Sequence, residues 1–350
     1  MKLFRLFRLT FYALFILAVG IGYTVYVQAL SKPLENRDQK LTIPSGVGVS
    51  WLANHLEKTG VIENKYLFRA YVFLNQRELN IKAGEYTLVD IDSIPELVSK
   101  VQQGKVIQYA ITLIEGKTFK EYSALLMSQK RLEDELAGMT DAEIMRAVGV
   151  PGRHPEGQFA PQTYFYQQGH SDLDVLKMAH QRQQQIVNDA WENRLDTVQV
   201  SNPYELLIMA SIIEKETGAA HERGLISGVF NNRLRIGMKL QTDPTVIYGM
   251  GDAYDGNIRR KDLRTDTPYN TYTRYGLPPS PIAMPGEAAI IAAANPEETQ
   301  ALYFVGKGDG THQFSTNLQD HNNAVIKYQL GGKPRKFSSY SGDENGEVRE

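Results

Sequence analysis

Cysteine is absent from all 350 residues. That excludes disulfides, thiolate metal sites, iron–sulfur clusters and thiol nucleophiles together. A charge excess is missing as well. Basic residues number 38 against 40 acidic ones, and a net charge of −2 offers no general attraction to nucleic acid phosphates. The seven histidines show no HExxH or paired metal-ligand spacing. No Gly-x-Ser-x-Gly elbow occurs. Gly306-Lys307-Gly308-Asp309-Gly310 lacks the Lys-Ser/Thr and the following helix of a phosphate loop, and reads as a hairpin turn. No cofactor and no metal are therefore expected. Core-forming residues are plentiful: 42% of the chain is hydrophobic and 10% aromatic, which excludes wholesale disorder. The length allows two or three domains.

Leu9 to Leu30 carry no charged side chain. As a helix these 22 or so residues reach roughly 33 Å, enough for a bilayer core. Lys2, Arg5 and Arg8 precede them and no acid comes before Glu35. The positive-inside rule then keeps the N-terminal tip cytoplasmic and exports the rest. A cleaved signal peptide is the rival reading. Its apolar region is shorter and ends in small residues, where this chain has Tyr23, Tyr26 and Gln28. Without the three leading charges the exported part is net acidic, which argues against an electrostatic hold on anionic lipid.

An α+β chain is expected, in five segments. Residues 1–30 are the tip and transmembrane helix, and 31–40 a polar linker. Residues 41–110 form a small α+β module. Residues 111–330 form a larger mixed α/β domain, and 331–350 a flexible tail. In the small module, Leu41–Pro44 and Ala83–Val89 read as strands. Val49–Thr59, Lys65–Leu74 and Ile94–Val101 read as helices, with Gly60 and Gly104 as caps. Val106–Ile114 alternates. Further on, Leu173–Arg194, Pro203–Thr217 and Ala288–Ala294 read as helices. Leu302–Val305 and His312–Ser315 flank a hairpin. His154–Tyr166 and the Pro-, Gly-, Asn- and Tyr-rich stretch from Met238 to Pro285 read as ordered loops.

The helix at Pro203–Thr217 holds the sharpest chemical signal. Ser201 or Asn202 suits its cap, Pro203 its first turn and Glu205 the N3 position. Its body is apolar nearly all round, which marks a central helix. Glu214 and Glu216 stand at its C-terminal end, where the helix dipole disfavours negative charge. At about 100° per residue the two acids point about 160° apart. Glu216 shares the stripe of Ile208, Met209, Ile212 and Ile213, so its carboxyl is desolvated and its pKa raised, as a general acid requires. The plain alternative is two ordinary ion pairs, with Arg223 as a partner for Glu216.

Downstream, Leu240-Gln241-Thr242-Asp243-Pro244-Thr245, Tyr248, Tyr269-Asn270-Thr271-Tyr272 and Gly276-Leu277-Pro278-Pro279 gather amides, hydroxyls and tyrosines on Pro-stiffened loops. Such side chains stack on sugar C–H faces and bond to hydroxyl and acetamido groups. Gln241, Thr242, Asp243, Tyr248, Tyr269, Asn270 and Tyr272 are the candidate substrate-binding residues. Asp243 before Pro244 also suits a plain turn.

These segments, with Ala210-Ser211-Ile212-Ile213-Glu214-Lys215-Glu216-Thr217, closely resemble the MltG (YceG-like) family of endolytic murein transglycosylases. The order of motifs and the N-terminal anchor fit the same family over nearly the whole chain. The resemblance implies that the small module is LysM-like, a type associated with glycan binding. It places the catalytic glutamate on Glu216, the residue that the helical-face geometry also selects. It implies non-hydrolytic cleavage of MurNAc-GlcNAc bonds within nascent peptidoglycan strands, leaving 1,6-anhydroMurNAc ends. It further implies a role in ending strand polymerisation beside the peptidoglycan synthases, at the inner membrane with the catalytic domain outside the cytoplasm. A non-catalytic peptidoglycan-binding scaffold, or a hydrolase of the same bond with Asp243 as second carboxylate, are the alternatives. The chain departs from the family at Gln162, where Glu156-Gly157…Pro161-Gln162-Thr163-Tyr164 would ordinarily carry Asp.

Overall fold

The computed structural model describes residues 2–75 and 79–333. Of the expected tail 331–350, everything from residue 334 lies outside the described residues. The chain divides into two compact units: Met1–Tyr109 with Phe165–His170, and Ala110–Tyr164 with Ser171–Glu350.

The first unit begins with α1 (Lys2–Leu30). Its stretch Phe7–Leu30 is long and apolar enough to cross a membrane. The following segment is tied to the unit: Leu34 is buried, and the Glu35 amide donates to the Val61 carbonyl. Then come β1 (Lys40–Ile43), α2 (Val49–Lys58), α3 (Lys65–Asn75), β2 (Gly84–Thr87) and α4 (Ile94–Gln103). β1 and β2 pair antiparallel, with Leu41 opposite Tyr86. Helical spacing turns Leu52, Ala53 and Leu56 of α2, and Ile94, Leu97, Val98 and Val101 of α4, into one core with these strands. α4 shows its sequence signals: Ser93 caps it, Pro95 lies in its first turn, and Gly104 closes it in the left-handed conformation.

A second two-stranded sheet joins β3 (Tyr109–Thr112) to β4 (Thr163–Tyr166). β4 lies inside the stretch expected to be loop. Exposed Gln162 uses its backbone here, its carbonyl accepting from the Leu113 amide.

The second unit continues with α5 (Phe119–Met127), α6 (Asp141–Val148), α7 (Asp172–Glu192), α8 (Pro203–Glu216) and α9 (Arg223–Arg235). Then follow α10 (Asp243–Met250), α11 (Arg260–Arg264), α12 (Glu287–Ala294), β5 (Tyr303–Gly306), β6 (His312–Ser315) and α13 (Leu318–Tyr328). α8 is the hub. α7, α9, α10 and α12 pack around it, and Leu206 to Ile213 are buried without a break. Small residues on α12, Ala289, Ala293 and Ala294, belong to the same core and allow close helix approach. β5 and β6 form the expected antiparallel hairpin, covered by α13.

The region from 239 to 285 departs from the loop expectation, because α10 and α11 lie within it. A Pro-rich composition hides α10, yet Pro244 occupies the first turn, the one place in a helix that tolerates it. Asp243 is thus the first residue of a helix rather than a plain turn residue.

Candidate active site

Glu216 is the last residue of α8, and Asn202 caps the other end by accepting from the Tyr204 and Glu205 amides. The Glu216 carboxyl opens into a cleft of about 630 Å³, whose lining also includes Gln241, Asp243, Tyr272, Arg233, Tyr303, His312 and His321. Burial pushes its pKa up to about 7. The Thr242 hydrogen bond works against that shift, Asp243 nearby reinforces it, and His312 and Arg233 oppose it. The carboxyl therefore holds its proton close to neutral pH while remaining accessible from the cleft.

Thr242 donates its hydroxyl proton to Glu216 Oε1. Its position makes that bond informative. Thr242 is the N-cap residue of α10, but its side chain does not cap the helix. The hydroxyl that would ordinarily accept from the first turn is turned to the carboxyl instead. The surrounding backbone is fixed by neighbours. Thr245 donates to the Thr242 carbonyl (2.7 Å), Thr242 N–H donates to Thr271 Oγ1 (3.1 Å), and Gln241 N–H donates to the Thr271 carbonyl (3.2 Å). Gln241 itself sits at φ +48°, a conformation that non-glycine residues seldom adopt. Asp243 accepts from the Tyr272 hydroxyl at 2.6 Å.

Of the residues singled out in the sequence, the structure brings Glu216, Gln241, Thr242, Asp243 and Tyr272 together. It places three others elsewhere. Tyr248 donates to Glu156 Oε2 at 3.0 Å and packs edge-on against Tyr269. Tyr269 shares a hydrogen bond with Ser280 at 2.7 Å. Asn270 is buried, donating to the carbonyls of Asp262, Leu263 and Thr265. None of the three lines the cleft at Glu216. Glu214 faces away, as the helix geometry requires: its carboxyl accepts from the Gly286 amide at 3.1 Å, and Arg223 lies 4.0 Å away. Arg223 thus neighbours Glu214 and not Glu216.

Sequence reasoning missed the cleft's other wall. Arg233 on α9 is buried and donates to the Leu302 and Leu240 carbonyls, both at 2.6 Å, so it ties the Thr242 loop to the strand region opposite. Arg233 is one of three arginines on α9, and the sequence does not single it out. His312 on β6 pairs with Glu222 at 2.7 Å, and His321 stacks on Tyr303. The Arg233–Leu302 and His312–Glu222 contacts join residues 69 and 90 positions apart, and no local pattern announces them. Glu156 was missed as a titrating group. It is buried, bonded by the Phe119 amide and the Tyr248 hydroxyl, and burial pushes it too up to about 7.

Comparison with known proteins identifies the family. The model of the YceG-like family matches residues 41–327. An endolytic murein transglycosylase of Bacillus subtilis is 33% identical over 330 residues, covering 88% of this chain and 90% of the relative. One from Streptococcus pneumoniae R6 is 27% identical, covering 93% of this chain but 65% of the longer relative. The crystal structure of a yceG-like protein from Listeria monocytogenes superposes with a TM-score of 0.53 at 31% identity, over 81% of this chain and 98% of that one. Motifs, fold and relatives coincide over most of the sequence, and the chain belongs to the YceG-like family.

Proposed function

We propose that the chain is a membrane-anchored endolytic lytic transglycosylase that cuts MurNAc-GlcNAc bonds in nascent peptidoglycan strands. The observation that carries this reading is the Glu216 carboxyl, whose pKa burial raises to about 7 and which opens into a cleft of about 630 Å³. Glu216 gives its proton to the oxygen bridging the two sugars, and the C1–oxygen bond breaks. The resulting carboxylate takes the proton of the muramoyl C6 hydroxyl while that oxygen bonds to C1. The leaving sugar gains one hydrogen, the muramoyl end closes as a 1,6-anhydro ring, and Glu216 is protonated again. No water enters, so one carboxyl suffices where glycoside hydrolysis ordinarily uses two. Thr242 orients the carboxyl and favours its charged form as the proton leaves. Asp243 lies near enough to stabilise positive charge developing at C1.

In this reading α1 spans the cytoplasmic (inner) membrane with its basic tip inside and the catalytic unit outside. The small unit, with its strand–helix–helix–strand order, serves as a LysM-like glycan-docking module. The product ends growing strands beside peptidoglycan synthases. The test is mass spectrometry of fragments released from peptidoglycan. Anhydro ends, one water lighter than hydrolytic ends, support transglycosylation. Reducing ends alone would assign the chain to the hydrolases, with Asp243 as second carboxylate, and binding without release would make it a scaffold.

A further inference from the structure

α1 does not end in a free joint. Leu30, its last residue, is buried in the core of the first unit, and Tyr26, about one turn earlier, packs against that core. Two residues beyond α1, Lys32 pairs with Glu63. The next residue, Asn64, accepts from the Tyr66 amide at the start of α3 (2.8 Å). α3 therefore begins at the level where α1 stops, and the two helices pack together. One side of α3 is ordinary, with Phe68 and Val72 in the core. The other side is not: Tyr66, Phe73 and Leu74 are 67%, 83% and 66% exposed. At about 100° per residue Tyr66 and Phe73 share one stripe, with Leu74 flanking it, and Phe68 lies on the far side. The two charges of α3 leave this face uncharged. Arg69 turns to α2, donating to the Ser50 carbonyl at 3.2 Å and to Asn54 at 3.4 Å, and Lys65 pairs with Glu57 of α2 at 2.9 Å. Large apolar side chains gathered on one exposed face are costly in water. α1 carries exposed apolar side chains as far as Val27, so the apolar surface of α3 adjoins that of the helix it packs against.

We propose that Tyr66, Phe73 and Leu74 of α3 form a lipid-contacting surface that seats the first unit on the membrane crossed by α1. The inference builds on the reading of α1 as a membrane span. The partner is the boundary between phospholipid headgroups and acyl chains, where a tyrosine keeps its hydroxyl in the polar layer and its ring below it. The contact is apolar and not ionic, because the chain has no basic excess and the cations of α3 are already paired. It therefore holds on zwitterionic lipid. A unit seated in this way has no flexible stalk and meets glycan at the membrane surface, where strands are nascent.

The absence of cysteine makes the test direct. Phe73→Cys, Leu17→Cys and Gln102→Cys are made one at a time in the full-length chain, labelled with a nitroxide and placed in phosphatidylcholine nanodiscs. Power-saturation EPR reads collisions with oxygen, which concentrates in lipid, and with nickel-EDDA, which stays in water. All three positions are exposed, so each variant should melt like the parent. The oxygen-to-nickel ratio at position 73 should exceed that at position 102 on α4 by at least about threefold, and position 17 within α1 should read deeper still. A water-like ratio at 73 with an oxygen-rich label at 17 overturns the proposal and leaves the anchor in place. Water-like ratios at both remove the anchor as well. Immersion at 73 with a water-like label at 17 keeps the lipid contact and removes the span. Exclusion of both reagents at 73 would mean that a second copy or another protein covers the face, and it too overturns the proposal.

Discussion

Glu216 and Glu156 share a unit, a raised pKa of about 7 and a common cause, burial. Their surroundings differ. Glu156 is 3% exposed, and both of its oxygens are occupied, one by the Phe119 amide and the other by the Tyr248 hydroxyl. It fastens α10 to the start of α5. Glu216 receives one hydrogen bond among the described residues, from Thr242, and otherwise faces the cleft. A retained proton thus does not mark a catalytic acid by itself. The group must also have an oxygen free to meet a substrate: both Glu156 oxygens are taken by protein donors, whereas Glu216 keeps one without a hydrogen bond among the described residues.

The largest expected effect separates the pair directly. Glu216→Gln keeps the shape but removes the transferable proton, and release of anhydro-ended fragments should fall by about a thousandfold. Glu156→Gln keeps an oxygen for the Phe119 amide, the Tyr248 hydroxyl can turn to accept from the new NH2, and that rate should stay within about threefold. Equal losses in the two variants would break the distinction between them. Next in size is a pH effect on stability. The folded state keeps the Glu156 proton up to about pH 7, whereas the ordinary carboxyl value is 4.5. Its contribution is complete below 4.5 and is lost as pH rises through 7, which amounts to about 3 kcal/mol. Urea denaturation from pH 5 to 8 should show wild-type stability falling, with a shallower slope in Glu156→Gln. Glu216→Gln should also flatten the slope and be no less stable than wild type at pH 8, since it removes a buried ionisation.

A third effect acts on Glu216 through its neighbour. Thr242→Val preserves volume and deletes the hydroxyl that donates to the carboxylate. Because that bond favours the charged form, its loss should move the alkaline limb of the kcat/KM profile upward by about one pH unit and lower the maximal rate about tenfold. An unshifted profile with a lowered rate would reduce Thr242 to a structural role.

The legible and illegible parts of the site divide by sequence distance. Glu216 was readable because one helix carries both the acid and the apolar stripe that desolvates it. Gln241, Thr242 and Asp243 were readable as a polar run before a proline. Tyr248, Tyr269 and Asn270 belong to the same dense cluster, yet composition does not say which face of a loop a side chain takes, and the structure turns them inward. The hairpin at β5 and β6 was legible from its Gly-Asp-Gly turn, but its place across the cleft depends on Arg233 reaching the Leu302 carbonyl, a tertiary contact. α10 was hidden because Pro244 reads as a breaker unless it is recognised as a first-turn residue.

Glu214→Gln should have the smallest effect and tests the helical face most sharply. Glu214 stands two residues from Glu216 on the same helix, and burial raises its pKa as well, opposed by the Gly286 amide and by Arg223. Glutamine can still accept from the Gly286 amide, and the ion pair at 4.0 Å is long. Loss of the charge also removes the cost of ionising a group whose side chain is 9% exposed. These contributions oppose one another, so stability at neutral pH should change by no more than about 1 kcal/mol, and the rate by less than about twofold. The pH–rate profile should keep its alkaline limb, because the titrating acid lies on the opposite face of α8. A rate loss approaching that of Glu216→Gln would mean that both carboxyls act on the substrate, and a single-acid mechanism could not then describe the cleft.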